Sequence, residues 1–97
     1  IASVDGIDVL FIGPADLSVS LGVPFQFEDP KYKEAVGMIA GSAKRHGKWW
    51  GLPVGNCERA ARYAEQGARF FCIGGDFSFL KASCLALREQ FDRVMGL

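Results

Sequence analysis

The sequence predicts a protein of the α/β class in which parallel strands alternate with helices. Short apolar runs without polar alternation, typical of strands buried on both faces, alternate with amphipathic segments of helical period. No Gly-x-Gly-x-x-Gly follows a strand, which disfavours a dinucleotide-binding sheet. Three parallel strands alone would leave two open edges, whereas a TIM barrel closes them within about 250 residues. We therefore expect the C-terminal βαβαβα portion of a (β/α)8 TIM barrel, about three of its eight units, with residues 1–97 as a single partial domain.

The first strand is expected at residues 7–12, and residues 13–29 are expected to be irregular because turn formers are frequent there. Asp29 as N-cap and Pro30 at the first helical position then predict the start of a helix. Its apolar residues recur at helical spacing, and Gly47 predicts its end.

The second and third units follow the same pattern. A strand is expected at residues 48–52, and Asn56 is the predicted N-cap of a helix that ends at Gly67. A buried strand at residues 68–73 precedes a last helix that stops near Gly96. One stripe of that helix is apolar and consists of Phe77, Leu80, Cys84, Leu87 and Phe91.

Composition excludes several functions. Eleven basic and eleven acidic residues give no excess of positive charge, which argues against nucleic-acid binding. No apolar run is long enough for a membrane span. The three cysteines form no C-x-x-C pair and have one histidine beside them, so a zinc site is not expected. We expect them to be reduced and mostly buried, in a cytoplasmic protein that begins upstream of Ile1.

The segment Gly13-Pro14-Ala15-Asp16-Leu17-Ser18 is the strongest candidate site, because barrel chemistry lies at the C-terminal ends of the strands. Gly13 permits close approach to the backbone, and Pro14 fixes the turn. The amides of Ala15 and Asp16 are suited to an anion, and the Asp16 carboxylate to a hard divalent cation. The alternative is that Asp16 only caps a short helical turn through residues 17–20.

Four segments carry a resemblance to a known family. They are Ile7-Asp8-Val9-Leu10-Phe11-Ile12-Gly13-Pro14-Ala15-Asp16-Leu17-Ser18 with Leu21-Gly22, then His46-Gly47-Lys48 with Gly51, then residues 63–70, and Ile73-Gly74-Gly75-Asp76. In this order they resemble the HpcH/HpaI aldolase/citrate lyase family over nearly the whole chain. The G-P-A-D-L-S loop is the most specific of these elements.

The resemblance implies a class II aldolase that cleaves 4-hydroxy-2-oxo acids to pyruvate and an aldehyde. A divalent metal of the Mg²⁺ or Mn²⁺ class would stabilise the enolate. By the same resemblance Gly13, Ala15 and Asp16 bind the 2-oxo acid substrate, and Asp16 is a metal ligand. The family's second acidic ligand, its arginine and its histidine-assisted base would precede Ile1. The chain alone is therefore expected to supply no catalytic residue, to bind metal weakly and not to catalyse. The resemblance also implies a homo-oligomer formed through the C-terminal helix.

Two other functions stay open. A citryl-CoA or malyl-CoA lyase of the same superfamily would need a groove for coenzyme A, and no clear basic patch is visible for one. A non-catalytic fragment or interaction module would use the apolar stripe of the last helix to dock on a partner.

Individual residues near strand and helix ends carry further expectations. His46 is expected to support the end of its helix, and Asp76 to cap the last one. One of Trp49 and Trp50 should face into the barrel, where it packs in the core or narrows the substrate pocket. Pro53-Val54 is a possible wall of that pocket.

Overall fold

A computed structural model describes all 97 residues and has a three-stranded parallel sheet at its centre. The strands are β1 (Val9–Phe11), β2 (Trp49–Val54) and β3 (Phe70–Ile73), in the order β1-β2-β3. The helices are α1 (Pro14–Ser20), α2 (Pro30–Arg45), α3 (Cys57–Glu65) and α4 (Asp76–Met95). The strand register pairs Val9 with Trp49 and Gly51 with Phe70. The predicted alternation of strands and helices is confirmed.

The ends of the helices follow from local side-chain chemistry. The Asp29 carboxylate accepts the N–H of Lys31 at 2.8 Å, and Asn56 Oδ1 accepts the N–H of Arg59 at 2.9 Å. Both predicted N-caps are confirmed. His46 Nδ1 lies 2.9 Å from the Ser42 carbonyl oxygen, so the predicted helix-end role of this histidine is also confirmed. Gly96 ends α4 in the left-handed conformation that favours glycine.

The expectation of an irregular segment over residues 13–29 is wrong for its first part, because α1 occupies Pro14–Ser20. Pro14 is suited to the first position of a helix, and Gly13 precedes it in an extended conformation. The turn formers that suggested a loop begin to dominate only after this helix. β1 is also shorter than the strand predicted at residues 7–12.

The core lies between the sheet and helices α2 and α3. Trp50, Leu52 and Val54 alternate along β2 and are buried on the helix side. They belong to one cluster with Tyr32 and Val36 of α2. Burial of these side chains on one face of the sheet fixes α2 and α3 against it.

The opposite face of the sheet is uncovered and is the face that a barrel would enclose. Phe11 and Phe70 contact each other edge to face at 5.5 Å between ring centroids, across the position of Gly51. A Cβ atom at Gly51 would overlap the Phe70 carbonyl group, so the close approach of these strands requires glycine.

The two tryptophans lie on opposite faces, as predicted. Trp50 packs against Tyr63, with 6.3 Å between ring centroids, and Trp49 lies on the uncovered face. Trp49 begins β2 beside Val9, at the end of the sheet opposite to Gly13. The suggestion that the inward tryptophan narrows a pocket at the C-terminal strand ends is therefore wrong.

Helix α4 extends away from the sheet and has no buried residue. The chain consequently measures 60 × 28 × 21 Å, with a radius of gyration of 17.7 Å, whereas a compact domain of this length has about 13 Å. None of the four helices combines the length and the hydropathy that a membrane-spanning helix needs.

The predicted burial of the cysteines is wrong, because all three are free and exposed. Cys57 begins α3, Cys72 lies on the uncovered face of β3, and Cys84 lies on α4, which has no buried residue.

Candidate functional site

The predicted loop lies at the C-terminal end of β1 and leads directly into α1. The Ile12 N–H donates to the Gly51 carbonyl oxygen at 2.9 Å, which extends the pairing of the two strands to the start of the loop. Gly13 is the N-cap of α1 and has no side chain to satisfy the first amides. The N–H groups of Ala15 and Asp16 therefore lie in the first helical turn without a helical acceptor, at the positive end of the helix dipole.

Asp16 is exposed and makes no hydrogen bond or ion pair with another residue of the chain. The alternative that it caps a helical turn is wrong, because α1 begins before it and has no side-chain cap. Gly13 leaves room for its carboxylate: a Cβ atom there would lie 3.1 Å from Asp16 Oδ2. Gly13 and Asp16 are thus sterically coupled.

Ser18 stabilises this loop through hydrogen bonds of its hydroxyl, a role that was not predicted. It is fully buried, donates to the Ala15 carbonyl oxygen at 2.8 Å and accepts the Phe25 N–H at 3.0 Å. Phe25 has a positive φ of 58°, a strained conformation that this bond helps to hold. The sequence gives no direct signal for the role, since it depends on a contact seven residues away.

A divalent cation fits the donor chemistry of this loop only in part. A carboxylate oxygen is the ligand type that Mg²⁺ prefers, but one carboxylate is not enough for a stable site. No group of three or more His, Cys, Asp or Glu residues lies close together in the chain. Asp16 can therefore supply one ligand of a site whose others must come from elsewhere.

The loop opens on one side to a cavity of about 1100 Å³ at the free edge of β1. Gly13 and Asp16 line it, together with Val9 and Phe11 of the edge strand and Ile39 of α2. Its volume exceeds the usual range of about 300–1,000 Å³ for small-molecule pockets.

The segments that follow β2 and β3 lie beside the same loop. Pro14 and Ala15 share a cavity of about 330 Å³ with Pro53, Gly55 and Gly74. This places the ends of all three strands at one edge of the sheet, as the topology of a barrel requires.

Asp76 is not the N-cap of α4, since that position is Gly75. Its carboxylate accepts the Phe77 N–H at 2.8 Å and lies in the first turn, where it favours the helix dipole. The predicted N-cap of α4 is therefore wrong by one residue, because the extended Gly75 occupies that position.

Comparison with known proteins gives one consistent result. Residues 1–82 match the profile of the HpcH/HpaI aldolase/citrate lyase family. The chain is 34% identical over 93 residues to a 5-keto-4-deoxy-D-glucarate aldolase of Klebsiella pneumoniae, covering 96% of the chain and 36% of that protein. It is 38% identical over 86 residues to a hydroxypyruvate/pyruvate aldolase of Delftia acidovorans, covering 89% of the chain and 32% of that protein.

A solved structure shows the same arrangement of elements. The HpcH/HpaI aldolase of Desulfitobacterium hafniense superposes with a TM-score of 0.84 at 28% identity, over 95% of the chain and 36% of that structure. The resemblance and the predicted TIM-barrel portion are confirmed. The chain spans about a third of the length of these relatives.

Proposed function

The chain belongs to the HpcH/HpaI aldolase/citrate lyase family, and we propose that the whole protein is a class II, metal-dependent aldolase acting on 4-hydroxy-2-oxo acids. The products are pyruvate and an aldehyde. One observation carries the proposal: unpartnered amides and an unpartnered carboxylate lie together at the C-terminal end of β1, where barrel enzymes hold their substrates.

Each residue of the loop has a distinct role in this proposal. The amides of Ala15 and Asp16 bind the carboxylate of the 2-oxo acid, and the absence of a side chain at Gly13 lets it approach. The Asp16 carboxylate would hold Mg²⁺ or Mn²⁺ together with an acidic residue from another strand. When bound, the metal would supply Lewis-acid stabilisation of the charge that develops on the substrate oxygen.

The rest of the reaction depends on residues outside these 97. The chain positions the substrate, whereas the base, the arginine and the second acid are proposed to come from other strands of the barrel. The chain alone is therefore proposed to be inactive. A cytoplasmic location remains a prediction.

We also propose that the whole protein is a homo-oligomer and that α4 forms its contact. Phe77, Leu80 and Leu87 are each between 66% and 75% exposed, so this apolar surface has no cover within the chain. Burial of such residues against a partner is favourable by about 25 cal/mol per Å².

The direct assay measures pyruvate release from a 4-hydroxy-2-oxo acid by the whole protein, with and without a chelator. Asp16→Asn removes the negative charge at nearly constant shape, and we expect activity to fall by about 10²-fold or more. Asp8→Asn is the matched control, because Asp8 is exposed and adjoins the opposite end of the same strand. We expect it to behave as the wild type.

The outcome also separates the alternatives. Full activity in the presence of chelator, or in Asp16→Asn, would contradict the metal role. Cleavage of citryl-CoA or malyl-CoA, with none of the 4-hydroxy-2-oxo acid, would assign the protein to the CoA lyases instead.

A further inference from the structure

A second cavity lies between α2 and α3, on the helix side of the sheet. Its volume is about 290 Å³, and neither Gly13 nor Asp16 contributes to it. The residues that matter for its chemistry are Phe27, Tyr32, Arg59, Arg62, Tyr63 and Gln66. In a barrel this layer faces outward, so the cavity is formed by elements that are all present in the chain.

Two guanidinium groups at this cavity have no acidic partner. Arg59 and Arg62 lie on one face of α3, and neither forms an ion pair within 4.0 Å. Arg59 lies over the Phe27 ring at 5.6 Å from its centroid, a contact that orients the guanidinium.

Glu28 is the one acid at the rim of this cavity, and it is already paired. Its carboxylate binds Lys33 Nζ at 2.7 Å, and this hydrogen bond holds the pKa of Glu28 below its ordinary value. The two arginines make only smaller contributions to that pKa. Since neither guanidinium group forms an ion pair within 4.0 Å, both can bind the oxygens of an external anion.

The Tyr32 hydroxyl supplies an independent sign of a missing partner. Tyr32 is 1% exposed, and its hydroxyl is the one buried side-chain polar atom of the chain without a hydrogen bond. Burial raises the pKa of Tyr32, and the nearby Tyr63 hydroxyl raises it further. No group of the chain meets hydrogen-bond geometry with the Tyr32 hydroxyl. The Tyr32 hydroxyl therefore keeps its proton and can donate a hydrogen bond. Arg59 is close enough to influence it as well.

We propose that the cavity between α2 and α3 binds a small molecule bearing a carboxylate or phosphate group. Arg59 and Arg62 bind its oxygens through their guanidinium groups, which suit both anions. Tyr32 donates a further hydrogen bond, and the rings of Phe27 and Tyr63 contact the body of the molecule. The volume lies at the lower end for ligand pockets, so the ligand is smaller than a nucleotide.

Calorimetric titration of the whole protein tests the site without any reference to aldolase activity. Inorganic phosphate and succinate are the two probes, at constant ionic strength set with chloride. We expect saturable binding of at least one probe, with one site per chain. Arg59→Gln and Arg62→Gln should each weaken it about tenfold, because each removes charge-assisted hydrogen bonds.

Two further variants keep the test specific. Tyr32→Phe retains the ring in the core and should weaken binding several-fold through the loss of one hydrogen bond. Lys44→Gln removes a charge at the exposed end of α2, outside the cavity, and should leave the dissociation constant unchanged. The proposal is overturned if neither probe binds saturably, if the arginine and Tyr32 variants bind as the wild type does, or if Lys44→Gln weakens binding equally.

Discussion

We expect Gly13→Ala to weaken metal binding by the whole protein without destabilising its fold. The added methyl group would lie 3.1 Å from Asp16 Oδ2, whereas ordinary contact begins near 3.4 Å, so the carboxylate must move by a few tenths of an ångström. Metal–ligand distances tolerate about 0.2 Å, and a displaced ligand typically raises the metal dissociation constant about 10-fold or more. Gly13 has φ −89° and ψ 100°, which alanine adopts readily. Alanine lowers the entropy of the unfolded chain but is less favourable than glycine at an N-cap. These effects oppose each other, so the free energy of unfolding should stay within about 0.5 kcal/mol of the wild-type value.

The assay combines metal titration of aldolase activity with denaturant unfolding of the whole protein. Gly37→Ala is the matched control, because Gly37 lies inside α2 with no atom near its missing Cβ. It should stabilise the fold by about 0.5–1 kcal/mol and leave the metal requirement unchanged. A Gly13→Ala protein that is folded and has the wild-type metal requirement would refute the coupling of Gly13 to the metal ligand.

Three further predictions concern packing, pH and assembly. Gly51→Ala should destabilise the whole protein by about 1–3 kcal/mol or more in denaturant unfolding, because its methyl group meets the Phe70 carbonyl. The raised pKa of Tyr32 stabilises the fold below pH 10, and this contribution should be lost as the pH rises beyond 10. The free energy of unfolding of Tyr32→Phe should therefore fall less steeply above pH 10 than that of the wild type. An equal slope in the two proteins would contradict the raised pKa of Tyr32. Leu87→Glu should reduce the mass measured by sedimentation, whereas Lys81→Glu on the same helix should reduce it less if the apolar stripe forms the contact.

Most of the fold could be predicted because its signals are local. Asp29 and Asn56 precede apolar segments of helical period, and their capping bonds need only residues two or three positions away. α1 was missed because its start signal is a glycine followed by proline, which also marks a turn. The cysteines were misjudged because burial depends on neighbours, and α4 and the open sheet face have none in this chain.

Residues of the candidate site could be predicted only where the side-chain chemistry and the position after a strand are both visible in the sequence. Asp16 belongs to the segment that follows β1, so its place near the strand end was evident from the pattern. The cavity between α2 and α3 was missed, because Tyr32 fits the apolar period of its helix and Arg59 resembles an ordinary surface charge. Their proximity depends on how two helices pack, which spacing within one helix does not reveal.

The open edge of the sheet and the proposed metal site meet at β1. β1 pairs with β2 on one side, and its other edge carries free backbone groups beside the cavity of about 1100 Å³. A parallel strand added at that edge would end beside Gly13, because parallel neighbours end at the same side of a sheet. Asp16 faces this cavity with no partner. In the proposed aldolase, the strand that pairs with this edge of β1 is therefore the one best placed to supply the second metal ligand.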